Sequence, residues 1–263
     1  MFNVEFIDQD KEKKFCWQTS WGLSTRSIGA MIMVHSDDKG LVLPPKVAYQ
    51  QVVIIPIEKS GTDNAAIRAK CEEVFSLLKN AKIRVYLDDR ENYNPGWKFN
   101  NYELKGVPIR LEIGAKDLEK NEVRCVKRND GSKQQISVDG LVGKINEVLD
   151  TIHTEMYNKA LEARQSHIKE IDNWKDFMDA LNGRNLCLAP WCNVQQCEID
   201  VKEKSKEESL KAMEERNEEE ALLTGSAKTL CIPIDQSKEL KEDTKCFACD
   251  KKATVTALWG RCY

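Results

Sequence analysis

Apolar residues between residues 49 and 155 alternate between two periods, which predicts strands separated by helices. The run 52–57 (VVIIPI) is apolar and rich in β-branched residues, as is typical of a buried strand. Similar runs predict strands at 83–88 and 107–113, and a hairpin at 122–138 in which NDG forms the turn. Strands that alternate with helices indicate an α/β domain.

A helix is predicted directly after the first strand, because apolar residues there recur every three or four positions. Thr62 or Asp63 is suited to cap its N-terminus. The apolar face consists of Ile67, Cys71, Val74, Phe75 and Leu78.

The remaining patterns predict a turn, two helices and one charged segment. NYNPGW at 92–97 is rich in turn residues, and KFNNYELKG after it favours a short helix ended by Gly106. A long helix is expected from 141 to about 181. The charged run 201–220 is interpreted as an exposed helix or a linker.

Composition narrows the class of protein without deciding its function. Of the 263 residues 32% are charged, and the net charge of −3 argues against an indiscriminate nucleic-acid binder. No apolar run approaches the roughly 18 residues of a membrane helix, and the N-terminus lacks the apolar core of a signal peptide. We therefore expect a cytoplasmic protein without a membrane partner.

Two close pairs of cysteines stand out among the ten in the chain. The spacings Cys192-x4-Cys197 and Cys246-x2-Cys249 are typical of two loops that each give two thiolates to a structural zinc ion. The alternative is four ordinary buried cysteines, since free cysteine packs well in cores. The other cysteines are interpreted as core or surface thiols: Cys16, Cys71, Cys125, Cys187, Cys231 and Cys262. His35, His153 and His167 are interpreted as hydrogen-bonded structural histidines.

The stretch 96–128 mixes aromatic and basic side chains, a combination that reads single-stranded RNA in many proteins. A solvated basic face is the alternative. The aromatic candidates for base stacking are Trp97, Phe99 and Tyr102, and the candidates for phosphate contacts are Lys98, Lys105, Arg110, Lys116, Lys120, Arg124, Lys127 and Arg128.

Three stretches carry a resemblance to a known family: SWGLSTRSIGAMIMVHSDDKGLVLPPKVAYQQVVIIPI, DDRENYNPGWKFNNYELKGVPIRLEIGAKDLE and TALWGRCY. They closely resemble the C-terminal part of prolyl-tRNA synthetases of the eukaryote/archaeal-like form. The resemblance implies the end of a class II catalytic core with motif 3 at 1–48, and a mixed sheet flanked by helices as anticodon-binding domain at 49–155. It also implies an α+β zinc-binding domain at 156–263.

The resemblance also implies roles for individual residues. Arg26 would face the ATP phosphates and Ser24 would contact the nucleotide, while Trp21 and Gly22 would line a strand. Gly29 would let the helix that follows pack closely against that strand. The anticodon of proline tRNA would be read by Glu103, Lys105, Arg110 and Lys116, and zinc would be held by Cys192, Cys197, Cys246 and Cys249.

By the same resemblance the full enzyme is a proline–tRNA ligase. It would use ATP with Mg to activate proline, transfer the prolyl group to proline tRNA and act as a homodimer. The chain alone is expected to be inactive because motifs 1 and 2 are absent, so it is a fragment or a truncated paralogue. Two alternatives stay open: a non-catalytic tRNA-binding paralogue, and a zinc-stabilised interaction module with no RNA role.

Overall fold

A computed structural model describes residues 3–58, 61, 63–216, 225–236 and 240–261. The chain divides into two compact units, Met1–Tyr157 and Asn158–Tyr263, here called unit 1 and unit 2. No helix in the described part combines the length and the apolar character needed to cross a membrane. The domain borders expected after residues 48 and 155 stay predictions.

Unit 1 begins with an antiparallel pair, β1 (Glu5–Ile7) and β2 (Lys13–Phe15), followed by helix α1 (Arg26–His35). The expected motif 3 helix is present, but the stretch 16–24 before it is not a strand. Trp21 is fully exposed, and a Cβ at Gly29 would have no heavy atom within 4 Å among the described residues. The expected packing of a strand against Gly29 is therefore wrong for this chain, because no described element lies close enough to pair with it.

A five-stranded mixed sheet forms the centre of unit 1, and its strand order is β4-β3-β5-β6-β7. β3, β4 and β5 are parallel, whereas β6 and β7 are antiparallel to their neighbours. The elements are β3 (Val52–Pro56), α2 (Asn64–Asn80), β4 (Val85–Leu87), α3 (Pro95–Leu104), β5 (Ile109–Ile113), α4 (Ala115–Lys120), β6 (Glu122–Lys127), β7 (Lys133–Ser137) and α5 (Leu141–Ser166).

Both faces of this sheet are covered, as the apolar strands require. Val52 and Ile54 belong to the large core that contains the buried faces of α2 and α5, whereas Val53 and Ile55 pack with Tyr102 of α3. Successive residues of β3 thus point to opposite helical layers. The predicted α/β class is confirmed, and helix α3 packs on the second face.

Several local predictions for unit 1 are confirmed, one is wrong and one helix is missing from the prediction. The predicted apolar face of α2 is buried or half-buried, and Asp63 caps the helix by accepting from the Ala66 N–H at 3.0 Å; Thr62 lies outside the described residues. The predicted turn at 92–97 is wrong in its second half, because Asn94 caps α3 and Pro95 starts it. Helix α4 was not predicted.

Unit 2 contains a four-stranded sheet of order β10-β11-β9-β8, in which only β8 and β9 are parallel. The buried side chains of α6 and of the neighbouring strands β9 and β11 share one core, which is centred on Phe177 and Trp259. Its elements are β8 (Ile168–Glu170), α6 (Trp174–Asn182), β9 (Leu186–Trp191), α7 (Gln195–Arg216), β10 (Ala227–Cys231) and β11 (Val255–Arg261).

One prediction for this region is wrong, and the predicted exposed helix at 201–220 is right only in part. The long helix expected to reach about 181 ends at Ser166, because Ile168 leaves the helix and pairs with Leu186 of β9. Helix α7 is not exposed all round: Val201, Ser205 and Ser209 form a buried stripe at four-residue spacing. The Ser205 hydroxyl receives the Ala227 N–H, which explains why a polar residue is buried there. Residues 217–220 of the charged run lie outside the described part.

The histidines are only partly as predicted. His167 is hydrogen-bonded through Nδ1 to the Ala163 carbonyl oxygen at 2.7 Å. The buried Nδ1 of His153, in contrast, has no hydrogen-bond partner among the described residues, so the expectation of a satisfied ring is wrong at that position.

Candidate nucleic-acid interface and metal centre

An open pocket of about 290 Å³ lies in unit 1 where the end of α3, the strand β5 and the β6–β7 hairpin meet. Two residues of the predicted anticodon set, Glu103 and Arg110, line it together. The pocket therefore offers a carboxylate and a guanidinium side by side. Its other charged lining residues are Lys39, Lys127, Arg128 and Lys133.

A tight turn brings Glu103 and Arg110 into the lining of one pocket although they lie seven positions apart in the sequence. Helix α3 ends at Leu104, and Gly106 follows with φ of +69°, a left-handed conformation that a side chain would strain. The chain then enters β5 at Ile109, which pairs in parallel with Val52 of β3. The last turn of the helix and the first residues of the strand thus share one pocket.

Arg110 is held by two neighbours. Its Nε donates to a carboxylate oxygen of Glu112 at 2.9 Å, and its guanidinium carbon lies 4.2 Å above the centroid of the Phe99 ring. A planar guanidinium favours both contacts at once. Arg110 is therefore preorganised, and Phe99 serves it as a support rather than as a free stacking surface.

The Glu103 carboxylate remains accessible, with 32% of its side chain exposed. Lys39 Nζ lies 3.6 Å from Glu103 Oε1, a long ion pair at the rim of the pocket. Such an exposed pair is weak and leaves the carboxylate free to accept from another donor.

The other two members of the predicted anticodon set lie outside the lining of this pocket. Lys105 is exposed just after α3, and its Nζ lies 5.7 Å from the Tyr102 ring centroid. Lys116 is exposed in the first turn of α4. The structure thus brings Glu103 and Arg110 together, and both lysines stand apart as solvated cations.

Three residues predicted to contact RNA are buried instead. Lys98 donates to the Asp88 carbonyl oxygen at 2.9 Å, and the Tyr102 hydroxyl donates to the Asp88 carboxylate at 3.0 Å. Arg128 is buried against Asp37. These predictions are wrong because composition does not distinguish a basic surface residue from one that neutralises a buried carboxylate.

The third aromatic candidate, Trp97, is 42% exposed and remains available for stacking. It stacks on Tyr93 with ring centroids 3.9 Å apart, and Arg90 lies beside both rings. Asp88 orients Arg90 through two hydrogen bonds of 2.7 and 2.8 Å to its carboxylate.

The residues predicted to contact ATP lie at the start of α1. Arg26 is its first residue and Ser24 precedes it, and both side chains are exposed. Their nucleotide role stays a prediction.

The four paired cysteines lie together in unit 2 and could hold a metal ion. All four sulfur atoms are within 4.8 Å of one another. The Sγ of Cys249 is 3.8 Å from those of Cys192 and Cys197, and Cys197 Sγ is 3.8 Å from Cys246 Sγ. Four sulfurs at about 2.3 Å from a shared tetrahedral ion would be separated by about 3.8 Å, so the spacing fits a closed tetrahedral site.

Two local structures supply the four thiols. Cys192 follows β9 and Cys197 lies in the first turn of α7. Cys246 and Cys249 lie in a tight turn that is closed by the Cys246 N–H donating to the Lys251 carbonyl oxygen at 2.9 Å. Three of the thiols are buried and Cys249 is half-buried.

Backbone donors prepare one of these thiols for metal binding. Burial disfavours its thiolate, yet N–H groups of Ala248, Cys192 and Cys249 hold the pKa of Cys246 below its usual value. Burial raises the pKa of Cys197. A cation among the sulfurs would offset that cost, because it favours the thiolate form of every ligand.

The other cysteines are core or surface thiols where they are described, as predicted. Burial raises the pKa of Cys71 to about 12, of Cys125 to about 11 and of Cys187 to about 12, so these thiols are inert at neutral pH. Cys16 is half-buried and Cys231 is exposed, while Cys262 lies outside the described residues.

Comparison with known families assigns both units. Residues 51–148 match the family described as anticodon binding domain, and residues 174–263 match the family described as prolyl-tRNA synthetase, C-terminal. Unit 1 thus contains a match to an anticodon-binding domain, and unit 2 contains a match to the C-terminal domain of prolyl-tRNA synthetases.

Individual relatives agree over the whole chain. It is 45% identical to the cytoplasmic proline–tRNA ligase of Arabidopsis thaliana, covering 100% of this chain and 47% of that protein. It is 40% identical to the bifunctional glutamate/proline–tRNA ligase of Drosophila melanogaster, of which it covers 15%.

The solved prolyl-tRNA synthetase from Cryptosporidium parvum, complexed with halofuginone and AMPPNP, matches with a TM-score of 0.85 and 43% identity. That match covers 100% of this chain and 51% of the solved one. The chain thus spans about half the length of the single-function synthetases it matches.

Proposed function

We propose that unit 1 reads the anticodon of proline tRNA through the pocket that Glu103 and Arg110 share. The observation that carries this proposal is that a half-exposed carboxylate and a supported guanidinium line one cavity. A carboxylate accepts from N1 and the N2 amino group of guanine, whereas a guanidinium donates to O6 and N7. The two guanines that proline anticodons share therefore suit this pair.

Lys105, Lys116 and Lys120 are assigned a different part in RNA binding. They are exposed cations outside the lining of the pocket, and phosphate contacts of this kind set affinity and salt dependence without reading sequence. Discrimination between bases and overall affinity should therefore respond to different substitutions.

The experiment compares a labelled anticodon stem-loop of proline tRNA with a copy in which both guanines are adenine. Wild-type chain should bind the authentic loop about tenfold more tightly, because adenine lacks the N1–H and N2 amino donors and the O6 acceptor of guanine. Glu103→Gln should lower that ratio while changing the affinity for the altered loop little. Lys120→Ala is the control and should weaken both loops alike. Equal affinity of the wild-type chain for both loops would contradict the proposal and leave only a basic surface.

We also propose that the four-cysteine cluster of unit 2 holds one structural zinc ion. All four positions of a tetrahedron are filled by thiols, so no position is left for a substrate or a water molecule. Elemental analysis of protein prepared without a metal-affinity tag should give about one zinc per chain. Less than about a tenth of an equivalent would favour the four-buried-cysteine alternative.

For the longer protein to which this region corresponds, we propose proline–tRNA ligase activity in the cytoplasm, with ATP, Mg, proline and proline tRNA as reactants and a homodimer as the assembly. Ser24 and Arg26 would belong to its nucleotide site. This chain alone should show no proline-dependent ATP–pyrophosphate exchange above background, since one helix cannot position both substrates. Exchange by the purified chain would contradict that expectation.

A further inference from the structure

A buried arginine in the lining of the pocket links three separate parts of unit 1. The Arg128 side chain is 5% exposed and lies directly after β6. Its two terminal nitrogens donate to the two carboxylate oxygens of Asp37 at 2.8 and 2.7 Å, and its Nε donates to the Glu103 carbonyl oxygen at 2.9 Å. Each guanidinium nitrogen thus donates within one network, here called the Arg128 clamp and made of Asp37, Glu103 and Arg128.

The turn that carries Asp37 is packed tightly against the end of α3. The Leu41 N–H donates to the Leu104 carbonyl oxygen at 3.0 Å. A Cβ at Gly40 would lie 2.7 Å from the Leu104 carbonyl oxygen, so only glycine permits this approach. The clamp therefore acts on a segment that backbone contacts already hold in place.

Glu103 lies where a helix is weakest. The last carbonyl groups of a helix lack intrahelical partners, and the last turn frays unless something else binds them. Arg128 binds the carbonyl oxygen of Glu103 itself, only two bonds from the Cα that carries the pocket carboxylate. A charged donor makes that hydrogen bond stronger than a neutral one would.

We propose that Arg128, oriented by Asp37, is a positioning residue that fixes the Glu103 carboxylate for base reading. This inference rests on the proposed reading of the anticodon by Glu103. Arg128 itself is given no base contact, because each of its three guanidinium nitrogens already donates within the clamp and its side chain is buried. Loss of the clamp should therefore reduce discrimination between bases while leaving the phosphate contacts, and so the general affinity, largely intact.

The test uses the full chain and the two stem-loops described above. Asp37→Asn removes the charge and one of the two acceptors but preserves shape, and Asp38→Asn removes the same charge one residue away. We expect Asp37→Asn to lower the affinity ratio of the two loops about fivefold, as for residues coupled in one network, with less than about a twofold change for the altered loop. Asp38→Asn should keep the wild-type ratio.

Arg128→Lys is the second variant, because it keeps the charge and loses the fork that holds Asp37 and Glu103 together. It should lower the ratio in the same direction. If the wild-type chain discriminates and both variants do so equally well, the clamp inference is overturned while anticodon reading stands. If the wild-type chain binds both loops equally, anticodon reading fails and the positioning role fails with it.

Discussion

The pocket of unit 1 and the cysteine cluster of unit 2 differ in how their charged groups are arranged. In the pocket, cations and carboxylates are already paired: Arg110 with Glu112, Arg128 with Asp37, and Lys39 with Glu103. In the cluster, four groups of the same kind lie within 4.8 Å of one another, and their ionised forms repel. The pocket therefore pairs these charges within the protein, whereas four thiolates in the cluster would require a cation from outside.

This difference determines where each unit obtains its stability. Unit 1 packs a sheet of β-branched residues between helices on both faces, and that core is independent of any ligand. Unit 2 has a smaller core, and Cys192, Cys197 and Cys246 are themselves part of it. Phe247, which lies between two of the ligands, packs on Phe177 at 4.6 Å and on Trp259 at 5.2 Å. Metal binding and packing of the core should therefore be coupled in unit 2 only.

Metal removal should produce the largest effect and should be confined to unit 2. A ligand that binds only the folded state at a thousand times its dissociation constant adds about 4 kcal/mol to stability, so chelation should lower the unfolding free energy of unit 2 by at least that amount. The near-ultraviolet circular dichroism of Trp191 and Trp259 reports on it, because both rings are buried. Unit 1 of the metal-free chain should still unfold cooperatively on heating, as measured by far-ultraviolet circular dichroism.

A matched pair of serine variants tests the same point without a chelator. Cys246→Ser should reduce zinc content and loosen unit 2, since one thiolate is lost from the tetrahedron. Cys231→Ser, at an exposed cysteine outside the cluster, should change neither. Retained zinc in Cys246→Ser would show that the metal is not held by these four thiols.

Glycine substitutions test the close approach of Gly106 to Leu41 in unit 1, and they should change stability less than metal removal does. Gly106 and Gly131 both have positive φ, +69° and +72°, so alanine is strained at either. A Cβ at Gly106 would also lie 2.6 Å from the Leu41 carbonyl oxygen, whereas at Gly131 nothing lies within 4 Å. Gly131→Ala should cost about 1 kcal/mol, and Gly106→Ala about 2 kcal/mol more. Urea unfolding of both variants measures the difference, and equal losses would show that the contact gives way without cost.

The secondary structure of unit 1 was predictable where apolar residues dominate the pattern. The strand at 52–57 and the face of α2 are long, regular signals, and both are confirmed. In unit 2, the pattern does not predict β8, because only three residues pair and two of them are exposed. The pattern predicts the start of α3 too late in the sequence, because Asn, Pro and Gly favour a turn. Asn and Pro also favour the start of a helix, which is what the structure shows here.

The sequence predicts more of the cysteine cluster than of the Arg128 clamp. Cysteine spacing marked the four residues that the structure gathers, since close pairs are a local signal. The Arg128 clamp carries no such signal, because Asp37 and Arg128 are 91 positions apart and each is an ordinary charged residue. Arg128 can orient Glu103, and Lys98 can neutralise Asp88, because both side chains are buried. Burial follows from tertiary packing, which no local sequence pattern shows.

The smallest predicted effect is the pH dependence that the Asp37 carboxyl gives to the stability of unit 1. Hydrogen bonds from Arg128, together with the charges of Arg128 and Lys39, hold the pKa of the Asp37 carboxyl at about 2, below its ordinary 3.8. Since the folded pKa is the lower one, the ion pair stabilises unit 1 fully above about pH 4, and this contribution is lost as the pH falls through about 2. Water screens the pair because 43% of the Asp37 side chain is exposed, so the contribution is about 1 kcal/mol.

Urea unfolding of the wild type and of Asp37→Asn from pH 7 to pH 3 measures this contribution as a difference. The variant should be less stable by a constant amount from pH 7 to about pH 5, and the gap should narrow below pH 4. It narrows because a protonated carboxyl and an amide are both neutral and both keep one carbonyl oxygen for Arg128. Asp38→Asn leaves the pair of Asp37 and Arg128 intact and is the control. A gap for Asp37→Asn that stays constant down to pH 3 would mean that the charge of Asp37 does not hold Arg128, and that shape alone positions the end of α3.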